Sequence, residues 1–199
     1  LTWVQQTPQL GTGHALMQAL PHLDSTGITL VLYGDVPLTS IETLRGLIAT
    51  AESKDFALLT VELTDPAGYG RIVRNDETGG IVAIVEEKDA SKSQRQICEI
   101  NTGIMAIPNQ YLHGWLHKLE NKNAQKEYYL TDIVAMAVKD GVKVQAAQPE
   151  YDWETTGVTS KTQLAVLESL YHNESAKSLL CQGVTLAGLS LSEICRPLF

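Results

Sequence analysis

The chain has 199 residues, 44% of them hydrophobic, and 15 lysines and arginines against 23 aspartates and glutamates give a formal charge of -8. That length suits one domain, or one and an appendage, with enough apolar residues to bury a core. The acidic balance leaves no basic stripe for a phosphate backbone and argues against nucleic-acid partners. A small anionic substrate would need local help from a metal ion, backbone N–H groups or one placed lysine or arginine.

Residues 1–4 (LTWV) are apolar and resemble the middle of a strand, so an N-terminally incomplete chain is expected. Gly11-Thr12-Gly13 then leads into a helical pattern over residues 14–20. A flexible turn at a helix start can cradle an anion or a nucleotide, and it can equally be a plain helix entry. Residues 28–33 (ITLVLY) read as a parallel strand covered on both faces, ending at Gly34-Asp35. Thr39 and Glu42 predict a capping box for a helix whose Ile41, Leu44, Leu47 and Ile48 share one face. A strand follows near residues 56–61, then a Gly-rich loop at 68–71 and a strand at 81–85.

Residues 101–107 (NTGIMAI) read as another buried strand, and Pro108 begins a helix carrying Tyr111, Leu112, Trp115 and Leu119. Leu130, Ile133, Val134, Ala137 and Val138 fall on one helical face. One more strand is expected at 142–146. From Lys161 a long helix places Leu164, Leu167, Leu170 and Tyr171 on one side, ending near Gly183, and residues 184–191 alternate like a strand. The alternation of strands and helices predicts an α/β sheet with its site on loops after the strands. No internal repeat interrupts it.

Cys98, Cys181 and Cys195 are odd in number and far apart, with no paired spacing, and read as free thiols in a reducing compartment. No run reaches the length of a membrane span and no leader pattern precedes the first helix, so a soluble cytoplasmic protein is expected, with no membrane partner. His14 reads as a structural or solvent-facing residue, and His113 and His117, without a nearby carboxylate or cysteine in sequence, as surface residues rather than a metal clamp.

Asp35 is the most informative carboxylate because it directly follows an apolar strand and a glycine. Such a group can hold Mg²⁺ beside substrate phosphates, or merely cap a turn. Glu86 at a strand end, Asn101 at a strand start, and Glu127, Tyr129 and Thr131 at a helix entry supply carboxylate, amide and hydroxyl groups suited to a sugar.

In order, "QLGTGHA", "LYGDVPL", "GYGRI", "VEEKDA", "EINTGI" and "NAQKEYYLTDI" occur along the chain. Together they resemble the uridylyltransferase domain of the bacterial bifunctional GlmU family, among the sugar-nucleotide pyrophosphorylases. The resemblance runs from Leu1 to about Gly183. It implies a Rossmann-like, glycosyltransferase-A nucleotidyltransferase fold, incomplete at the N-terminus, over residues 1–159, a helical arm over 160–183 and a residual tail over 184–199. The implied activity forms UDP-N-acetylglucosamine and pyrophosphate from UTP and N-acetylglucosamine 1-phosphate, for cell-wall precursors. By the same likeness Gln6, Gly11 and Thr12 read uracil, and Tyr33, Gly34 and Asp35 line the ribose and diphosphate. Gly70, Glu86, Asn101, Glu127, Tyr129 and Thr131 hold the acetylated sugar, and Asp35 binds Mg²⁺ and carries the catalysis that the ion supports.

Three departures accompany the likeness. The family's triphosphate loop and its lysine precede Leu1. Gly157-Val158-Thr159 replaces Gly-Val-Asn, so Thr159 stands at the position that completes the metal site. The family's trimerising β-helix is not in the sequence, and a mainly monomeric chain is expected. A non-catalytic UDP-sugar-binding remnant and a pyrophosphorylase for another sugar phosphate remain as alternatives.

Overall fold

A computed structural model describes residues 1–186. Two compact units divide the chain, the first made of residues 1–33 and 40–150, the second of residues 34–39 and those from Tyr151 onward. The boundary expected at 159/160 falls inside the second unit. Of the tail expected at 184–199, residues 187–199 lie outside the described residues, and with them Cys195 and most of the alternating segment at 184–191.

The first unit is a six-stranded mixed sheet with helices. Strands β1 (Ile28–Val31), β2 (Phe56–Glu62), β3 (Arg71–Arg74), β4 (Ile81–Val85), β5 (Glu99–Pro108) and β6 (Val144–Ala147) are interleaved with helices α1 (Thr12–Ala19), α2 (Ile41–Glu52), α3 (Asn109–Leu116) and α4 (Asp132–Lys139). Strand order runs β4-β3-β5-β2-β6, with β1 also paired to β5. Only β2 and β6 run parallel; the other pairings are antiparallel.

The strand at 28–33 therefore differs from expectation. It is shorter, it is antiparallel to β5, and pairing on one side leaves Leu32 exposed just beyond its end. An apolar run signals burial but not the direction of its neighbour. Residues 1–4 form no strand, and Leu1 and Trp3 are exposed. Strand β3 also differs from expectation: only Arg71 falls in the loop read at 68–71, residues 72–74 carry no predicted element, and the two arginines that bound the strand interrupt its apolar signal.

Strand β5 is the spine. Its first half pairs with β2 and touches β3 at Ile100, and its second half lies between β2 and β1. The register to β2 shifts between Thr60↔Asn101 and Leu58↔Met105, so extra β5 residues bulge out at Gly103. Gly103 has φ +85°, open to glycine, and a Cβ there would strike the ring of Tyr33, 2.8 Å from Cζ. Neighbouring side chains satisfy the bulge: Asn101 Oδ1 accepts from Gly103 N–H at 3.0 Å, while Thr102 Oγ1 donates to Leu59 O at 2.8 Å and accepts from Ile104 N–H.

The core gathers Phe56, Leu58, Met105 and Ile107 from the sheet with Leu112, Trp115, Ile133 and Val134 from α3 and α4. The apolar face expected of α4 is the one that is buried. In α2 the expected face is only partly buried: Leu47 is enclosed but Ile41, in the first turn, is 61% exposed. Its cap also moves by one residue. Ser40, not Thr39, accepts from Thr43 N–H at 3.1 Å, and Thr39 donates instead to Glu154 O, within the second unit, at 3.0 Å. His117 is exposed and His113 half-buried.

The second unit holds a 3-10 turn (Asp152–Thr155) and helix α5 (Lys161–Cys181), capped by Ser160. The apolar side expected of α5 is mostly open. Leu167 is buried, whereas Leu164, Leu170 and Tyr171 are exposed. Leu164, Leu167 and Tyr171 line a groove of about 330 Å³ with Pro37 and Leu38. Among the described residues no helix is long and apolar enough to cross a membrane.

Candidate active site

The Gly-Thr-Gly turn is laced to the segment that enters α4. Tyr128 N–H donates to Leu10 O and Gly13 N–H to Tyr128 O, both at 2.8 Å, and Leu130 N–H donates to Thr12 Oγ1 at 3.1 Å. That close approach explains both glycines. A Cβ on Gly11 would lie 2.8 Å from Tyr128 O, and one on Gly13 would lie 2.6 Å from Leu119 Cδ1. The Gly13 N–H is thus spent inside the protein. Gln6 reaches back over the turn, its Nε2 donating to Gly11 O at 2.9 Å.

The same segment builds a second set. Asn123 brackets Glu127, donating through Nδ2 to Glu127 O at 2.6 Å and accepting from Glu127 N–H at 3.1 Å. Thr131 Oγ1 donates to Glu86 Oε1 at 2.8 Å, and Glu86, directly after β4, stands against Gly70, where a Cβ would come 3.3 Å from its Oε2. Gly70 O in turn accepts from Asn101 N–H at 2.8 Å. Gly70, Glu86, Asn101 and Thr131 therefore meet, although 61 residues of sequence separate the first from the last. Beside them a cavity of about 360 Å³ is walled by Ile84, Glu86, Asp89, Asn123, Tyr129 and Asp132.

Acid groups set the electrostatics of this cavity. Burial first, then the charges of Asp89, Glu86 and Glu127 and a hydrogen bond with Asp89, push the Tyr129 phenol up to about 12, so it remains a neutral donor, here to Gln125 Oε1 at 3.1 Å. Burial, with Glu86 and Asp89 adding to it, also raises the Asp132 carboxyl.

Two residues absent from the expected set organise the loop around Gly70. Arg71 is fully buried; it donates to Tyr69 O, pairs with Glu87 Oε2 at 2.6 Å and reaches Arg95 O at 3.5 Å. Both Arg71 and Glu87 sit inside quoted motifs, GYGRI and VEEKDA. The available signal is a charge directly after a glycine turn, which says nothing by itself about burial.

Gly34, Asp35 and Thr159 belong to the second unit. There Val158 N–H donates to Asp35 O at 2.8 Å, which brings the Asp35 backbone beside the Gly-Val-Thr strip. Thr159 Oγ1 donates to Gln163 Oε1 at 2.9 Å, so the hydroxyl proton is engaged and the oxygen keeps its lone pairs. Among the described residues no group of three or more His, Cys, Asp or Glu could hold a metal by itself.

The sequence profile described as Nucleotidyl transferase matches residues 1–166. The chain belongs to the nucleotidyl transferase family. Within it, this nucleotidyl transferase chain is 73% identical over 187 residues to the bifunctional protein GlmU of Nitrosospira multiformis and 58% identical over 187 residues to that of Nitrosomonas eutropha. Each match takes in 94% of the chain but 41% of the relative, so the chain spans about two fifths of their length. A solved UDP-glucose pyrophosphorylase in complex with UDP-glucose shares the fold, with a TM-score of 0.62 at 14% identity over 87% of this chain and 66% of that one. The α/β nucleotidyltransferase fold expected from the motifs is thus the fold found.

Proposed function

We propose that this nucleotidyl transferase chain forms UDP-N-acetylglucosamine and pyrophosphate from UTP and N-acetylglucosamine 1-phosphate. The observation that carries the reading is the segment from Glu127 to Thr131. It is laced to the Gly-Thr-Gly turn at one end and bonded to Glu86 at the other, so one element links the group suited to a nucleobase with the group suited to a sugar.

In this reading Gln6, Gly11 and Thr12 meet the uracil and Tyr33 the ribose. Asn101, with Oδ1 held by Gly103 N–H, turns its amide N–H groups to the acetylated sugar. Gly70 leaves room for that sugar against Glu86, and Glu127, Tyr129 and Thr131 complete the wall. The sugar-phosphate oxygen attacks the α-phosphorus of UTP in line, and pyrophosphate leaves. No protein nucleophile is required, because positioning and charge neutralisation lower the barrier.

Asp35 and Thr159 offer one carboxylate and one hydroxyl oxygen, a set that suits Mg²⁺, which draws its other ligands from phosphates and water. When bound, the ion would neutralise phosphate charge. Cytoplasmic residence, a mainly monomeric chain, and the absence of nucleic-acid and membrane partners belong to the same proposal.

Calorimetry with UDP-N-acetylglucosamine, with and without Mg²⁺, tests it. Binding that strengthens with Mg²⁺ and loses that gain in Asp35→Asn is expected; no binding to the wild-type chain overturns the reading. Binding without pyrophosphate release from UTP and N-acetylglucosamine 1-phosphate would favour a non-catalytic sugar-nucleotide binder.

A further inference from the structure

His14 lies between two glutamines. Gln6 Nε2 is 3.1 Å from its Nδ1, Gln18 Nε2 is 3.2 Å from its Nε2, and its ring stacks on Tyr128 with centroids 6.2 Å apart. A neutral imidazole accepts at one nitrogen and donates at the other, so both amides cannot donate to it. Gly11 O decides between them. A carbonyl only accepts, so the Gln6 amide must present its NH₂ there at 2.9 Å; the reversed amide would set two oxygens against each other. The same NH₂ then donates to His14 Nδ1, which must be the bare nitrogen. The ring proton then sits on Nε2, and Gln18 turns its amide oxygen to meet it, giving up only the long 3.4 Å contact from its Nε2 to His14 O, whereas the Gln6 bond that would be lost by the other choice is 2.9 Å.

The consequence falls on Gln6 Oε1, to which no group donates among the described residues. We propose that His14 is a positioning residue for nucleobase choice: its bare Nδ1 locks the Gln6 amide so that Oε1 faces the ligand. An oxygen so placed favours a base whose ring nitrogen carries a proton, as in uracil, over one whose ring nitrogen is a bare acceptor, as in cytosine. This rests on the uridylyl-transfer reading above, in which Gln6 meets the base.

The test uses the full chain, with UDP and CDP as calorimetric probes and heteronuclear NMR of the His14 ring nitrogens. The unliganded protein is expected to show the Nε2–H tautomer, and wild type to prefer UDP. His14→Phe keeps the ring on Tyr128 but frees the Gln6 amide, and the UDP-over-CDP preference should fall about tenfold, the size of one net hydrogen bond. His14→Asn restores an acceptor and should recover most of it. An Nδ1–H tautomer, or a folded His14→Phe protein with an unchanged preference, overturns the inference and leaves the uridylyl reading intact. Wild type that binds neither nucleotide overturns that reading and nucleobase selection with it. Should His14→Phe fail to fold, the tautomer and His14→Asn still decide.

Discussion

Thr131 and Glu86 are joined by one hydrogen bond, Oγ1 to Oε1 at 2.8 Å, which ties the entry of α4 to the end of β4. Thr131→Val keeps the shape but removes the donor, leaving a half-buried carboxylate without its partner. Binding of UDP-N-acetylglucosamine should weaken by about 1–2 kcal/mol, and Thr131→Ser should recover most of it. Calorimetry on the two variants measures the difference; equal affinities would mean that Glu86 is held by other means.

Glycine substitutions should have opposite signs at two positions. Gly11 has φ +102° and lies against Tyr128 O, so Gly11→Ala is expected to destabilise the fold by about 2 kcal/mol or more and to weaken nucleotide binding. Gly46 lies within α2 with nothing within 4 Å of a built Cβ, and Gly46→Ala should stabilise by roughly 0.5–1 kcal/mol. Urea unfolding of both variants checks the pair of signs.

Burial alone would raise the Glu99 carboxyl, but the Arg74 guanidinium at 2.7 Å and the Thr60 hydroxyl at 2.9 Å outweigh it and hold the group below its ordinary value. A depressed carboxyl stabilises the fold above the unfolded-state value of about 4.3 and loses that contribution as pH falls through the lowered folded value. Arg74→Gln should therefore be less stable than wild type at pH 7, by about 1 kcal/mol or less because the Arg74 side chain is 40% exposed, and the gap should close toward pH 3. Thermal melts across that range follow it.

Arg71 is the buried member of its pair, with 2% of its side chain exposed against 31% for Glu87. Arg71→Met leaves Tyr69 O and Glu87 without their donor and is expected to destabilise by about 3 kcal/mol. Glu87→Gln, which still accepts, should do much less. Chemical denaturation separates the two, and equal losses would assign the stabilisation to charge rather than to the loop carbonyl.

Thr159→Asn exchanges a hydroxyl for an amide carbonyl beside the Asp35 backbone. If Thr159 stands at the metal, the Mg²⁺ titration of UDP-N-acetylglucosamine binding should shift to lower concentration, by about tenfold for a gain of 1.4 kcal/mol. Superimposable curves would assign Thr159 to the start of α5, where it already meets Gln163.

Much of this was legible because periodicity reports burial. The pattern of Leu130, Ile133, Val134 and Ala137 gave α4, and the six ordered motifs gave the family. Direction and pairing were not legible. The run at 28–33 carries the same apolar signal whether its neighbour is parallel or antiparallel, and β3 was obscured because Arg71 is an arginine inside the protein. The turn at 11–13 reads in sequence either as a nucleotide cradle or as a plain helix entry, and no local pattern announces that a Cβ on Gly11 would meet Tyr128 or one on Gly13 would meet Leu119. Such pairings join residues more than a hundred positions apart, beyond the reach of any local pattern.

Because Ile100 pairs with both β2 and β3, and Met105 and Ala106 with both β2 and β1, β5 cannot separate from the sheet on one side alone. Its amides should exchange with solvent only through global unfolding, while those of the eight-residue helix α1 exchange through local opening. Asn101 would then keep its orientation for as long as the protein is folded, and the residues around Gly11 would open and reclose many times in that interval.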